Sequence, residues 1–350
     1  MIRTSTAARR LWPTAVAGAV AVAAVAALTT ACGSSSSGDE LTLYSAQHEQ
    51  TTNAMIAAFT KETGIKVKVD NDGEDTLTAK IEQEGAKSPA DVFYTENSPW
   101  LEQLDKRGLL TKVDAATLAA VPSQFSGASG DWVGVSARFS GIIYNTAKLT
   151  AAQLPKSVLD LADAAWKGKV EIAPTETDFW PVVSSVLHTY GKDRTLTWLQ
   201  GLKDNAGSND NVSSNENLAA DVNQGNTELG VLNHYYFYRL QAELGANKVN
   251  SNFGFFAPRD AGYVENVSGA AILASSKHKT AAQKFLQFLT SEAGQTVLAT
   301  SNSFEYPLRP GVTANSVLPP LNTLSPNAFS VADLGTGDDA KALLQQVQLL

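Results

Sequence analysis

Between residues 41 and 94 the chain alternates short β-type runs with helical ones, which restricts the fold to a layered α/β sheet. Residues 41–44 form a β-type run. Behind it Met55, Ile56 and Phe59 recur at helical spacing as far as Gly64, a glycine placed to end a helix. Ile65-Lys66-Val67-Lys68-Val69 alternates apolar and polar residues as a strand does. Residues 77–84 return to helical spacing, and 91–94, after Pro89, form an apolar strand. Strand, helix, strand, helix, strand predicts a parallel sheet with helical crossovers. Further on the expected strands are 132–135, 141–144, 169–173, 228–233 and 269–274, with helices at 179–190 and 194–202. Residues 280–299 read as one long amphipathic helical region, with Phe285, Leu286, Phe288 and Leu289 inward.

The N-terminus has a different character. Arg3, Arg9 and Arg10 precede an apolar stretch that closes on Thr30-Ala31-Cys32, the layout of a secretory signal. Cys32 is the only cysteine and directly follows small residues, so residues 1–31 resemble a lipoprotein signal peptide, with cleavage before Cys32 and lipidation of its thiol. The alternatives are an ordinary signal with an incidental cysteine, or an uncleaved anchor. Thr29 departs from the Leu more usual at its position. Residues 32–38, rich in serine, read as a flexible tether. Without residues 1–31 about 319 of 350 residues remain, more than one core usually holds, so two lobes are expected. The formal charge moves from −8 to about −11, which suits attraction of cations and disfavours nucleic acid. A lone cysteine excludes intrachain disulfides and a thiolate metal cluster.

The mature chain resembles the type II periplasmic binding proteins of ABC transporters. Ala58-Phe59-Thr60-Lys61-Glu62-Thr63-Gly64-Ile65-Lys66-Val67 and Lys284-Phe285-Leu286-Gln287-Phe288-Leu289-Thr290-Ser291-Glu292-Ala293-Gly294-Gln295 carry that general likeness. Leu43-Tyr44-Ser45-Ala46-Gln47-His48, Ser88-Pro89-Ala90-Asp91-Val92-Phe93-Tyr94, Asn233-His234-Tyr235-Tyr236 and Glu305-Tyr306-Pro307-Leu308 resemble the ferric ion-binding proteins within it. The resemblance implies an α/β, two-lobed type II periplasmic-binding-protein fold with a central ligand cleft and hinge strands. Residues 39–136 and 267–310 would form one lobe, and 137–266 with 311–350 the other. It further implies an extracytoplasmic, lipid-anchored monomer that captures ferric ion or a ferric chelate and hands it to an ABC permease.

By the same resemblance the metal ligands are His48, Glu96, Tyr235 and Tyr236. Carboxylate and phenolate oxygens are hard donors and suit Fe3+ better than a soft or divalent ion. Binding would displace the phenolic protons. Each residue also has a plainer reading. Tyr235-Tyr236-Phe237-Tyr238 can be aromatic core or a stacking platform, His48 a surface loop histidine, and Glu96 a solvated acid. Because adjacent strand residues face opposite ways, a shared ion requires the tyrosine pair at a turn or helix start. His234 is expected to turn away from the metal, Tyr44 and Tyr94 to pack, and His188 and His278 to lack a visible partner.

Two coordination positions remain for a synergistic anion, carbonate or phosphate, or for water. Asn215 and Asn233 match anion-holding positions by resemblance. The loop Pro174-Thr175-Glu176-Thr177-Asp178-Phe179, however, sets Glu176 and Asp178 where an anion would be repelled, so these acids either supply a ligand or lie solvated. Arg138 is either a partner for carbonate or a structural hinge arginine. The competing function is a binding protein of the same fold for a small organic or oxyanion solute. An enzyme is not expected: the chain has no nucleophile elbow, phosphate-binding glycine loop or His-Glu-x-x-His helix.

Overall fold

The computed structural model describes residues 40–207, 212–328 and 331–350. The expected signal peptide (1–31), the tether as far as residue 38 and the lipidated Cys32 lie outside the described residues. The chain opens with β1 (Glu40–Ala46), α1 (Glu49–Thr63), β2 (Lys66–Asn71), α2 (Glu74–Glu84), β3 (Val92–Thr95) and α3 (Ser98–Lys106). Then come β4 (Leu110–Thr111), α4 (Ala115–Leu118), β5 (Trp132–Asn145), β6 (Val170–Glu171), α5 (Trp180–Tyr190) and α6 (Lys192–Ala206). The second half holds α7 (Asn215–Gln224), β7 (Leu229–Asn233), α8 (His234–Leu244), β8 (Ser251–Gly254) and β9 (Glu265–Leu273). It closes with α9 (Lys279–Leu289), α10 (Glu292–Thr300), β10 (Tyr306–Pro307) and α11 (Asp338–Gln346). Among the described residues no helix is long and apolar enough to cross a membrane.

The strands run in the order β2-β1-β3-β9-β5-β7-β6, with β10 and β8 also on β5 and β4 on β9. As the alternation predicts, β1 lies parallel to both β2 and β3. β6 is parallel to β7, whereas β9 meets both β3 and β5 antiparallel, so the sheet is mixed. Helix α1 ends as expected: Gly64 takes φ 74°, and its N–H reaches Thr60 O at 2.9 Å. Phe59 then packs edge-on against Phe285, ring centroids 5.0 Å apart, fastening the first helix to α9.

Three expectations need correction. The two strands expected at 132–135 and 141–144 are one 14-residue strand, β5, buried along its whole length. Ser136, Arg138 and Ser140 made it look interrupted, but each is satisfied inside. Ser136 and Arg138 bind Glu305, while Ser140 Oγ donates to Gly262 O at 2.7 Å and accepts from Val264 N at 2.9 Å. Its first half pairs with β9, and from Ser140 onward it pairs with β7 and β8, so β5 joins two regions of sheet. Region 280–299 is two helices, because Ser291 starts α10 by accepting Gly294 N on its hydroxyl at 3.1 Å. The strand expected at 169–173 is confined to the two residues of β6.

The break between α9 and α10 fixes a glycine. A Cβ on Gly294 would stand 2.1 Å from the Phe288 carbonyl oxygen, which belongs to the backbone and cannot swing aside. Gly294→Ala is expected to cost about 1–3 kcal/mol, read as a lower urea midpoint. A midpoint equal to that of the native protein would contradict this close approach.

Candidate metal site

His48, Glu96, Tyr235 and Tyr236 stand just past the carboxyl ends of strands. His48 follows β1 and Glu96 follows β3, which are parallel neighbours. Asp178 lies beyond β6, and Tyr235 and Tyr236 follow β7, the second parallel pair. Carboxyl ends of parallel strands leave a crevice where backbone changes direction and helix N-termini point inward. The tyrosines occupy the second and third positions of α8, the helix start that a shared ligand requires. Asn233 is the N-cap residue of that helix, without a side-chain capping bond. His48 caps α1 in the same backbone sense.

These side chains converge. The Tyr235 hydroxyl lies 2.6 Å from Asp178 Oδ2 and 3.0 Å from Glu96 Oε2, and the Tyr236 hydroxyl lies 2.8 Å from the same Asp178 oxygen. A phenol has one hydrogen, so three oxygen–oxygen contacts share two hydrogens. The tyrosine rings are 4.4 Å apart, and the His48 ring stands edge-on to both, at 5.3 and 5.8 Å. His48 Nε2 is 3.2 Å from Glu96 Oε2, near enough for charge attraction but off the line a hydrogen bond needs, and this buried nitrogen has no hydrogen-bond partner. The cluster is rich in acceptors and short of protons, which is what a cation site requires. Among the described residues no group of three or more His, Cys, Asp or Glu is arranged to hold a metal, so an ion here depends on the phenols.

Burial sets the electrostatics. Burial foremost, then the Asp178 and Glu96 charges, pushes both phenols well above their usual range. Burial also pushes Glu96 upward, but His48, Arg138 and Arg239 together outweigh it and hold the carboxyl at about 2. Glu176 goes the other way, raised to about 8 by burial and by the neighbouring charges of Asp178, Glu216, Glu96 and Glu74, so near neutrality it holds a proton. Asn215 Nδ2 reaches Glu176 Oε2 at 3.5 Å.

Arg138 is wholly buried and committed to protein carboxylates. Nη1 lies 2.9 Å from Glu96 Oε2 and 3.8 Å from Asp178 Oδ1, and Nη2 lies 2.9 Å from Glu305 Oε2. Its guanidinium also stands 5.2 Å from the centre of the Tyr235 ring, with Arg239 on that ring at 4.5 Å. His234 turns away, as expected. Its Nδ1 accepts from Phe139 N at 3.2 Å, Nε2 lies 2.8 Å from Phe304 O, and burial holds the ring neutral, its pKa near 3. Tyr44 and Tyr94 are core residues, the former donating to Glu84 at 3.0 Å. His278 corrects its expectation: Nδ1 stands 3.2 Å from Asp91 Oδ2, and His188 is not without a partner either.

The structure thus gathers His48, Glu96, Tyr235, Tyr236, Asp178 and Arg138 in one place. Four participants escaped the sequence reading: Glu74, Asn97, Arg239 and the carboxylate of Glu305. Only Glu305 carried a signal, as the first residue of the motif Glu305-Tyr306-Pro307-Leu308.

Residues 45–296 match the family described as bacterial extracellular solute-binding protein. A relative from Serratia marcescens named Fe(3+)-binding periplasmic protein is 39% identical, over 91% of this chain and 94% of its own length. The major ferric iron-binding protein of Neisseria meningitidis serogroup B is 35% identical, over 88% of this chain and 92% of its own. The crystal structure of iron-bound HitA from Pseudomonas aeruginosa superposes with a TM-score of 0.84 at 39% identity, covering 88% of this chain and 99% of that one. With its mixed sheet and strand-end cleft, the chain has the two-lobed type II periplasmic-binding-protein fold and belongs to the bacterial extracellular solute-binding protein family.

Proposed function

We propose that this protein captures ferric iron in the cleft between its two lobes and delivers it to an ABC importer, as a transport component and not an enzyme. The observation that carries this reading is the proton-poor oxygen cluster. The Tyr235 hydroxyl lies within 3.0 Å of both Glu96 and Asp178 and the Tyr236 hydroxyl 2.8 Å from Asp178, with the unbonded Nε2 of His48 beside them. The ligands we assign are His48, Glu96, Tyr235 and Tyr236, with Asp178 as a fifth. Once both phenols have lost their protons, four anionic oxygens face the ion, one charge more than Fe3+ carries. Arg138, bonded to Glu96 and near Asp178, offsets that surplus. Relatives named for ferric iron, at 35–39% identity, support the same ion.

In this reading Asp178 stands where a carbonate or phosphate would otherwise complete the coordination sphere, leaving one place for water or a small anion. Lobe boundaries at 39–136 with 267–310, and 137–266 with 311–350, put His48 and Glu96 on one side and the tyrosines and Asp178 on the other. An ion held from both sides favours the closed cleft over the open one. The mature N-terminus would be lipidated at Cys32, tethering the protein outside the membrane. Cys32→Ser is then expected to move it from the membrane fraction to the soluble one, and retention of the variant on membranes would contradict lipid anchoring.

Titration of metal-free protein with ferric nitrilotriacetate, in buffer without phosphate or carbonate, is expected to raise a tyrosinate-to-iron band in the visible. Tyr235→Phe or Tyr236→Phe should remove most of it, and Asp178→Asn should weaken binding and make it respond to added phosphate. No band in the native protein, with an organic solute bound instead, would overturn the iron reading.

Proton release fixes the pH dependence. The phenols are raised far above their ordinary values, so they are protonated before iron binds, and binding expels two protons at any pH near neutrality. Apparent affinity is expected to fall as pH drops, by about 100-fold per pH unit from the two phenols alone. Glu96, held at about 2, stays ionised through this window and contributes no slope there. Competition against a chelator of known affinity at several values between about pH 5 and 8 measures it, and a flat profile would show that no phenolic proton is displaced.

A further inference from the structure

Next to the proposed ion site lies a second buried carboxylate, Glu74, 4% exposed at the first position of α2. Its Oε1 accepts from Asn97 N at 2.7 Å and from the Thr95 hydroxyl. Its Oε2 accepts from Asn97 Nδ2 at 2.8 Å, Trp100 Nε1 at 2.9 Å and Thr177 Oγ1 at 2.7 Å. Among the described residues no cation takes part; five neutral donors solvate the group. Four of them come from residues 95–100, the connection that carries Glu96, so Glu74 holds the Thr95 side chain on one side of a proposed ligand and the Asn97 backbone on the other. The fifth comes from a segment 103 residues away, immediately before Asp178.

Asn97 completes the link. Its amide nitrogen has two hydrogens; one goes to Glu74 and the other to Asp178 Oδ1 at 2.9 Å, whose second oxygen holds both phenols. Its carbonyl oxygen accepts from Asn266 Nδ2 at 2.6 Å, so the amide has no freedom to flip. Trp100 and Trp180 lie alongside with ring centroids 5.6 Å apart, one from each side of the cleft, and shield the network from water.

We propose that Glu74 is a positioning residue that latches the closed cleft: through Thr177 and Asn97 it joins the strand end bearing Glu96 to the loop bearing Asp178. The proposal rests on the iron reading for its cargo but not for its geometry. Opening the cleft breaks the Thr177 and Asp178 bonds while the bonds within residues 95–100 persist. The latch therefore acts on release of the ion and not on its capture.

The test is Thr177→Val, which removes the hydroxyl with little change of volume, beside Thr177→Ser, which keeps it. Iron-loaded protein is mixed with excess chelator, and loss of the visible band is followed in time. Release is expected to be about 2- to 10-fold faster in the valine variant, with band position and uptake rate native and the serine variant restored. Glu74→Gln, which places an amide among donors, is expected to release faster still and also to shift the band, because it disturbs the Glu96 backbone. Equal release from native protein and Thr177→Val overturns the latch. If native protein takes up no iron, the iron reading fails instead. The latch is then judged by small-angle scattering, where a larger radius of gyration for Thr177→Val supports it and an equal radius overturns it.

Discussion

A single buried guanidinium makes this cleft possible. Arg138 sits midway along the fully buried strand β5, and its fork lies 2.9 Å from Glu96 on one side and from Glu305 on the other. Two carboxylates and their neighbour Asp178 cannot share a dry site without a fixed positive charge, because the desolvation cost of each would drive it to take up a proton. For Glu96 the opposite holds: against burial, His48 first and then Arg138 and Arg239 keep its carboxyl ionised, near 2. Glu176 lacks such a partner and shows the alternative, carrying a proton near neutrality. The difference between these two acids is the difference between a proposed ligand and a neutral wall.

The same arginine shows how an acidic site can select for charge. A small oxyanion entering here would meet Glu96 and Asp178, and the Arg138 guanidinium beside them is already bonded to protein. A divalent ion could not compensate four anionic oxygens, and both phenols would hold their protons more firmly against it than against Fe3+. In the proposed site, high charge on a small ion would offset removal of two protons from groups whose burial already opposes ionisation.

Much of this was legible in the chain, and the reason differs by residue. The first helices followed from periodicity, and α1 with Met55 and Phe59 inward is the plain case; β3, buried at every residue, showed instead as an apolar run. The tyrosine pair was singled out by the family resemblance; geometry added only that a shared ligand needs a turn or helix start, and α8 begins directly after β7 ends at Asn233. The continuity of β5 was not legible, since Ser136, Arg138 and Ser140 look like a loop until their partners at Glu305, Gly262 and Val264 are known. Nor was Glu74, which in sequence is an ordinary acid opening a helix beside Asp75. Its burial is set by donors from Thr177 and Trp100, and no local pattern encodes a contact across the cleft. The acidic loop was legible as an anomaly, but not which acid faces the site: Asp178 does, and Glu176 lies against Asn215.

The placement of donors at strand ends explains how distant segments act together. β1 with β3 and β6 with β7 are separate parallel pairs, and each delivers its residues at the carboxyl edge where a helix begins. β5 runs between the two regions, bonded to β9 before Ser140 and to β7 after it, so relative movement of the two strand-end clusters must be absorbed along β5 and β9. The register of that pair slips between Gly134 and Ser136, within four residues of Arg138. The ladder is therefore irregular close to the point where β5 presents its guanidinium to Glu96 through Nη1 and to Glu305 through Nη2.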